Sequence, residues 1–319
     1  SEMLGELNAS HTGCRYYASG ATLSTAALGV FLDPSYEGDG LKIKEIIKRG
    51  PFAVKKNEVN PGSIIEKIDG TDIKAGEDYN ALLDGKAGKN IRLTIKNAKG
   101  KRFDLTIKAI SQGAQQELLY KRWVDRNRAI VDSVSHGRIA YVHVKAMNSE
   151  SFRTVYSELL SEKNRTKDAV IVDERHNGGG WLHDDLCTLL SGKQYQEFVP
   201  HGKVVGKDPF NKWTKPSCVL ICEDDYSNGH GFPWVYKELG IGKLIGAPVA
   251  GTMTAVWWET LMDRSLVFGI PQVGCRDMRG TFGENTTLQP DIEVYNSPED
   301  YITGHDTQLI RAVEEMMKK

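Results

Sequence analysis

Short segments rich in β-branched residues follow one another from about Thr25 onward. They alternate apolar with polar positions and are separated by Gly and Asn or Asp turns, which is the pattern of half-buried β-strands. One stretch, 76–83, has a helical pattern instead. Together these segments predict a small β-rich module of about 85 residues. The predicted strands are 28–32, 41–46, 63–68, 91–95 and 102–107.

The remainder of the chain alternates apolar strands with helices. A helix is predicted over 115–133, where apolar residues recur near the helical period. Strands that are apolar almost throughout are covered on both faces. The fold class is therefore α/β with a largely parallel sheet, in which functional groups collect at the carboxyl ends of strands. The predicted strand and helix pairs are 139–144 with 149–160, 169–172 with 184–190, and 219–221 with 231–239, followed by a strand at 243–246.

Three successive glycines, Gly178, Gly179 and Gly180, stand a few residues after the strand 169–172. Each has an entropic cost of roughly 0.5–1 kcal/mol relative to alanine, so the run needs a reason. A tight turn with positive φ would provide one, and the close approach of backbone NH groups to a reacting oxygen would provide another. A phosphate-binding loop is disfavoured because the Lys-Ser/Thr pair of a P-loop is absent and Trp181 follows.

A serine, Ser227, stands between the predicted strand 219–221 and the next helix. In that position its hydroxyl can lie at the positive N-terminus of the helix as a nucleophile. A serine that only caps the helix would have the same local sequence, and this segment alone favours the cap.

A serine nucleophile needs a base, and histidine is the usual one. His143 alternates within a strand and is predicted to be structural, whereas His183 opens a helix. His176 and His230 lie in the two loops described above, and His11 lies far from both in sequence. Spacing does not rank these candidates.

Composition excludes several classes of function. The 41 Lys+Arg and 42 Asp+Glu residues give a formal net charge of −1, which provides no general attraction to nucleic acid or anionic lipid. No run of about 18 apolar residues occurs, so no membrane span is expected. The 5 cysteines are odd in number and scattered, so neither a disulfide framework nor a metal site is predicted, and no cofactor is expected.

The amino-terminal sequence has neither the charged nor the apolar region of a signal peptide, and it starts Ser-Glu-Met. We therefore expect the sequence to be part of a longer protein.

Five separated blocks occur in order along the chain. They are 6–11, which ends in Ser10-His11; 173–180, with its glycine run; 227–246, which begins Ser227-Asn228-Gly229; Glu284-Asn285; and 289–294. In this order the blocks resemble the tricorn branch of the tail-specific serine peptidases. The resemblance covers nearly the whole chain, and the order of the blocks is far more specific than any one of them.

The resemblance implies four catalytic side chains. Ser227 matches the nucleophile, His11 the general base, Ser10 the hydroxyl that links this base to a carboxylate, and Glu284 that carboxylate. Such a relay would fix the imidazole tautomer and support the transient imidazolium, as a direct Asp does in a triad. Because adjacent residues of a regular strand point to opposite faces, irregular backbone is predicted at Ser10 and His11.

The resemblance also implies an oxyanion hole made of the backbone NH of Asn228 and that of Gly178 or Gly179. Since main-chain donors serve there, we expect the Asn228 side chain to be free to vary. The segment 250–254 contains no lysine, which argues against the Ser/Lys variant of these peptidases and for the histidine-based relay.

The β-rich module, 25–111, resembles a PDZ domain. Leu28, Gly29 and Val30 match its carboxylate-binding loop and strand, and 61–70 matches its strand-turn segment. PDZ domains bind extended peptides by strand addition and capture the terminal carboxylate with backbone NH groups. The expected organisation is a catalytic core formed by 1–24 and 112–319, with the PDZ-like domain inserted.

The expected function is a serine peptidase that hydrolyses unfolded chains or oligopeptides through an acyl-enzyme at Ser227. The alternative is an inert peptide-binding scaffold that contains a PDZ domain. The partners implied are a peptide or unfolded-protein substrate, β-propeller domains that precede the Ser-His block in the family, and further copies of the chain. The compartment stays open between bacterial periplasm and cytoplasm.

Overall fold

The computed structural model describes residues 2–18, 24–53 and 58–318. The chain divides into two compact units, one formed by 1–19 with 126–319 and the other by 20–125. The predicted boundary at 24/25 adjoins residues 19–23, which lie outside the described part. The predicted boundary at 111/112 coincides with the start of a long helix rather than with the division at 125/126.

The first unit begins with helix α1 (Glu2–Gly5) and strand β1 (Gly13–Tyr16). Between them Ser10 and His11 form a turn, and His11 has a φ of 61°. The irregular backbone predicted there is therefore confirmed.

The unit 20–125 is β-rich, as predicted, and the strands that the structure describes in it pair antiparallel. Alternate residues of its strands are buried, so Ile91, Leu93 and Ile95 enter the core while their neighbours face outward. The predicted strand 28–32 is interrupted at Gly29, which has a φ of 71°. Its strands are β2 (Ala26–Ala27), β3 (Val30–Leu32), β4 (Leu41–Ile46), β5 (Ile64–Ile68), β6 (Thr71–Asp72), β7 (Asn90–Lys96), β8 (Arg102–Lys108) and β9 (Ile110–Ser111).

The helix predicted at 76–83 is shorter than the pattern suggested. Only a 3-10 helix, Tyr79–Leu83, forms. Gly76 has a φ of 76°, which ends any regular helix on that side, and the Asp78 side chain accepts a hydrogen bond from the Asn80 NH to start the turn.

The helix predicted at 115–133 is α2 (Gln112–Val134), and the first unit then continues as alternating strands and helices. A second 3-10 helix covers Pro200–Gly202. The remaining elements are β10 (Ile139–His143), α3 (Ser149–Leu159), α4 (Glu162–Arg165), β11 (Ala169–Asp173), α5 (His183–Leu190), β12 (Gln196–Phe198), β13 (Gly206–Asp208), β14 (Ser217–Ile221), α6 (Asn228–Glu238), β15 (Lys243–Gly246), β16 (Thr254–Val256), β17 (Glu259–Thr260), β18 (Leu266–Gly269), β19 (Pro271–Gly274), β20 (Ile292–Glu293), α7 (Pro298–Thr303) and α8 (Thr307–Met317).

The centre of this unit is a five-stranded parallel sheet in the order β10-β11-β14-β15-β20. Every residue of β10, β11 and β14 is buried, as the apolar runs predicted. Helix α5 packs against both α3 and α6. Helix α8 contacts β10, β11, β14 and β15. The predicted α/β class with a largely parallel sheet is confirmed. No helix in the described residues has both the length and the apolar character needed to cross a bilayer.

Two small antiparallel sheets position the amino-terminal segment and Thr254. Strand β1, which begins two residues after His11, pairs with β18 in the register Gly13 to Gly269, and β16, which begins at Thr254, pairs with β19. These pairings fix 10–16 and Thr254 within one unit, because backbone hydrogen bonds set the strand register.

A buried ion cluster anchors the end of β11. The Arg175 guanidinium donates to Asp173, with an Nη2 to Oδ2 distance of 2.7 Å, and to Asp306 at the start of α8, with an Nη1 to Oδ1 distance of 2.9 Å. All three residues are at most 4% exposed. The nearby positive charge keeps the pKa of the Asp173 carboxyl below its usual value despite burial, which acts to raise it. The cluster ties α8 to the strand that leads into the glycine run.

Asp306→Asn should lower the free energy of unfolding by about 3 kcal/mol, because it leaves the buried Arg175 charge short of a partner while keeping an oxygen that can cap α8. Urea denaturation measures this. The control is Glu197→Gln, which breaks an exposed pair with Lys207 and should change stability by less than about 1 kcal/mol. Equal losses in the two variants would contradict the role given to the buried cluster.

Candidate active site

Ser227 stands at the N-terminus of α6 in a strained conformation. Its φ of 59° and ψ of −119° are unfavourable for a residue with a side chain, and such outliers persist only where the surroundings hold them. The Ser227 NH donates to Thr252 Oγ1 at 2.8 Å. The hydroxyl makes no capping bond to the helix, so the interpretation as a plain N-cap serine is wrong.

The Ser227 hydroxyl is bonded to His11 instead. Ser227 Oγ lies 2.8 Å from His11 Nε2. His11 Nδ1 lies 2.8 Å from Ser10 Oγ, and Ser10 Oγ donates to Glu284 Oε2 at 2.9 Å. The structure thus brings all four side chains implied by the sequence resemblance into one hydrogen-bonded series.

The chemistry of the series sets the tautomer of His11. A carboxylate only accepts, so the single hydroxyl proton of Ser10 is directed to Glu284, the strongest acceptor within its reach. Ser10 Oγ then accepts from the Nδ1–H of His11. Nε2 is consequently unprotonated and accepts the hydroxyl proton of Ser227, which is the arrangement a general base requires.

Burial lowers the pKa of His11 below its usual value of 6.5, while the charge of Glu284 acts in the opposite direction. Burial dominates because removing water penalises the imidazolium. At neutral pH the imidazole is therefore in its neutral, proton-accepting form. The charge of Glu284, which reaches His11 through Ser10, favours the imidazolium form.

Two further hydroxyls hold the imidazole and were not found from the sequence. Thr254 Oγ1 lies 3.0 Å from His11 Nδ1 and 2.7 Å from Ser10 Oγ. The Tyr226 hydroxyl accepts from the His11 NH at 2.7 Å, and its ring centroid lies 4.8 Å from that of the imidazole. Tyr226 directly precedes Ser227 in the sequence, and this position could have marked it as a site residue. The sequence around Thr254 contains no such indication.

The glycine run lies directly against Ser227. A Cβ at Gly179, whose φ is 92°, would come within 2.5 Å of Ser227 Cβ and 2.7 Å of Tyr226 O. The Gly179 NH donates to Asn177 Oδ1 at 2.9 Å, so it is already bonded. Among the described residues, neither the Gly178 NH nor the Asn228 NH has a protein acceptor. Of the two glycines implied by the resemblance, Gly178 therefore keeps its donor available.

The Asn228 side chain is fixed, contrary to the expectation that it could vary. Its Oδ1 accepts from the NH groups of Leu182 and His183 at 2.8 Å and 3.1 Å, and its Nδ2 lies 2.8 Å from His183 Nδ1. The side chain therefore caps the start of α5 and joins it to α6. Replacing it would leave buried backbone donors without partners.

The other candidate histidines lie outside this series. His143, predicted to be structural, is buried in β10, and burial lowers its pKa. His230 is also buried, which lowers its pKa to about 4, and its Nδ1 has no partner among the described residues. His183 bonds to Asn228, and His176 Nδ1 lies 3.0 Å from both oxygens of Asp224.

The loop predicted to bind a peptide carboxylate is engaged within its own unit. The Gly29 NH donates to Gln115 Oε1 at 2.9 Å. Leu28 is buried and Val30 begins β3. A side-chain amide oxygen therefore stands where the sequence resemblance implies a carboxylate oxygen.

Two known protein families match this chain, one over the α/β part and one over the β-rich part. A family described as "Peptidase family S41" matches residues 138–294, and one described as "Tricorn protease PDZ domain" matches residues 36–112. The "Tricorn protease homolog" of Saccharolobus solfataricus is 28% identical over 333 residues, which cover 100% of this chain and 30% of that protein.

A solved structure extends the likeness to three dimensions. The crystal structure of the tricorn protease superposes with a TM-score of 0.83 and 25% sequence identity over 99% of this chain. The chain is of the tricorn type: residues 138–294 match peptidase family S41, and the whole length is similar to tricorn proteases. The match over residues 36–112 shows that this tricorn-type chain contains a PDZ domain. The "Tricorn protease" of Thermoplasma acidophilum is 28% identical over 259 residues. The chain spans 31% of the solved tricorn chain and 24% of the Thermoplasma protein.

Gly179→Ala should lower the free energy of unfolding by about 2 kcal/mol or more, since the added methyl group meets Ser227 at a positive φ. Gly178→Ala is the matched control. A Cβ there meets nothing within 4 Å and the backbone is not left-handed, so its effect should stay within about 0.5 kcal/mol. Urea denaturation compares the two variants, and similar values would contradict the packing described for Gly179.

Proposed function

We propose that this tricorn-type chain hydrolyses peptide bonds through an acyl-enzyme on Ser227, with a Ser227-His11-Ser10-Glu284 tetrad. One observation carries the proposal. A hydroxyl in a strained backbone lies 2.8 Å from a neutral imidazole, and the imidazole is bonded on its far side to a hydroxyl and a carboxylate. This is the relation of nucleophile, base and orienting group that acyl transfer requires.

In the proposed reaction, Ser227 Oγ attacks the carbonyl carbon of the substrate as its proton passes to His11 Nε2. The Nδ1–H of His11 remains bonded to Ser10, which passes the stabilising effect of Glu284 to the imidazolium. The imidazolium then protonates the leaving amine. A water molecule, deprotonated by the same nitrogen, hydrolyses the acyl-enzyme.

The negative oxygen of the tetrahedral intermediate needs donors that are already in place. The NH groups of Gly178 and Asn228 are the proposed pair, and they flank Ser227 on two adjacent loops. The N-terminus of α6, an 11-residue helix, adds its positive end to the same position. Donors of this kind are typically worth 10²–10³ in kcat each, because they need no reorganisation during the reaction.

The proposed substrates are unfolded chains or oligopeptides. Trp181, directly after the glycine run, is 69% exposed and can contact the side chain of an extended substrate. In the PDZ domain, we propose that the terminal carboxylate of a chain binds at Leu28, Gly29 and Val30. It would replace the amide oxygen of Gln115 on the Gly29 NH, since a carboxylate is the stronger acceptor.

The alternative function is an inert scaffold in which the PDZ domain binds peptides and the α/β unit has no activity. A scaffold would require neither the hydrogen bond between Ser227 and His11 nor the strained backbone at Ser227. The intact series of four side chains therefore favours the peptidase.

Ser227→Ala should abolish cleavage of an unfolded casein-like substrate, because no other group replaces the nucleophile. Mass spectrometry of the products measures cleavage and also maps the residues on each side of the cut bonds. Ser265→Ala, a hydroxyl outside the relay, is the control and should give the wild-type product pattern. Full cleavage by Ser227→Ala would reject the nucleophile.

The pH dependence of kcat/KM should report His11. Because burial holds its pKa below 6.5, activity should rise with pH along a limb whose midpoint lies below 6.5. Glu284→Gln should lower kcat and shift this midpoint to lower pH, since the charge of Glu284 raises the pKa of His11. The control Glu299→Gln should leave the midpoint unchanged. A midpoint that rose in Glu284→Gln would contradict the relay.

A further inference from the structure

A second group of reactive side chains lies on the loops that follow β11 and β14. It consists of His176, Cys222 and Asp224, called here the His176 cluster. Their ligand atoms all lie within 4.8 Å of one another. None of the three belongs to the proposed tetrad. The sequence did not indicate the group, because His176 and Cys222 are 46 residues apart.

The separations in the His176 cluster are close to those around a tetrahedral metal ion. His176 Nδ1 lies 3.0 Å from Asp224 Oδ1 and 3.8 Å from Cys222 Sγ, and Sγ lies 2.7 Å from Asp224 Oδ1. A zinc ion with ordinary bond lengths holds such atoms about 3.3–3.6 Å apart. The adjustment needed is a small rotation of the Asp224 side chain, which is 62% exposed.

The backbone around the cluster is already arranged. The His176 NH donates to Cys222 Sγ at 3.1 Å, a contact that favours a thiolate, whereas burial and the Asp225 carboxylate raise the pKa of this thiol. Asp225 joins the two loops, because its Oδ2 accepts from the Cys222 NH at 2.8 Å and its Oδ1 from the Asn177 NH at 3.1 Å. Asp225 is 2% exposed, so this clamp is protected from water. The loops that carry His176 and Cys222 are therefore held together before any ion arrives.

We propose that the His176 cluster binds one Zn²⁺ ion, with His176 Nδ1, Cys222 Sγ and one Asp224 oxygen as ligands and water in the fourth position. A mixed set of one nitrogen, one sulfur and one oxygen suits zinc. Calcium and magnesium are excluded as preferred ions because they require six or more oxygen ligands, and the cluster offers one carboxylate. The thiol proton is released to solvent when the ion binds.

Such an ion would crosslink the loop of Gly178 to the loop of Ser227. It would stabilise the folded chain, since it binds a site that the unfolded chain does not assemble. The inference does not depend on the peptidase mechanism, because the ligands are outside the tetrad. Ser227→Ala should bind the ion as tightly as the wild type, so failure of one proposal is distinguishable from failure of the other.

The test uses the full chain, stripped of metal with a chelator and titrated with CoCl₂ as a spectroscopic substitute for zinc. The expected result is a thiolate-to-cobalt charge-transfer band that saturates at one ion per chain and disappears when ZnCl₂ is added. Cys222→Ser should abolish the band. His176→Gln and Asp224→Asn should weaken binding at least tenfold, about the loss that even outer-shell partners cause.

The His176 and Asp224 side chains are 49% and 62% exposed, so these two variants should fold normally, which circular dichroism verifies. Cys14→Ser and Cys275→Ser are the matched thiol controls and should keep the full band. Absence of a saturable band in the wild type would overturn the proposal. So would a band that is lost in Cys14→Ser or Cys275→Ser, or unchanged binding in both His176→Gln and Asp224→Asn.

Discussion

The hydrogen bond between Ser227 Oγ and His11 Nε2 joins two parts of the chain that are 216 residues apart. Both residues have left-handed backbone, with φ values of 59° and 61°, and neither conformation is favourable by itself. Ser227 is held by the sharp turn from β14 to α6 and by its NH bond to Thr252. His11 is held by the pairing of β1 with β18 and by Tyr226. Stability generated in the parallel sheet and the small sheets thus offsets strain at the site.

The order of strands in the sheet explains why the proposed oxyanion donors lie beside the proposed nucleophile, Ser227. Strands β11 and β14 are neighbours and parallel, so the loops after them leave the same edge. Gly179 lets these loops touch, Asn228 caps α5 from the first turn of α6, and Asp225 bonds to both loops. Each of these residues holds the two loops in place. The same clamp brings His176 next to Cys222, so the proposed zinc site and the proposed oxyanion hole depend on one piece of architecture.

Sequence patterns predicted the parallel sheet and the β-rich domain, because apolar periodicity is a local signal. The resemblance carried by five ordered blocks implied the four residues of the proposed relay. These signals did not predict contacts made only in three dimensions. Thr254, the fixed side chain of Asn228 and the bonded NH of Gly179 all depend on loops that meet after folding. The choice between an N-cap serine and a nucleophile at Ser227 was also not local, since it depends on whether an imidazole from the start of the chain reaches the hydroxyl.

The most direct test of this account is a crystal structure of the chain after reaction with a peptidyl phosphonate, an analogue of the tetrahedral intermediate. We expect a covalent bond from Ser227 Oγ to phosphorus. One phosphonyl oxygen should accept from the NH groups of Gly178 and Asn228, and His11 should remain bonded to Ser10. An adduct on another residue, or a phosphonyl oxygen directed away from both NH groups, would contradict it.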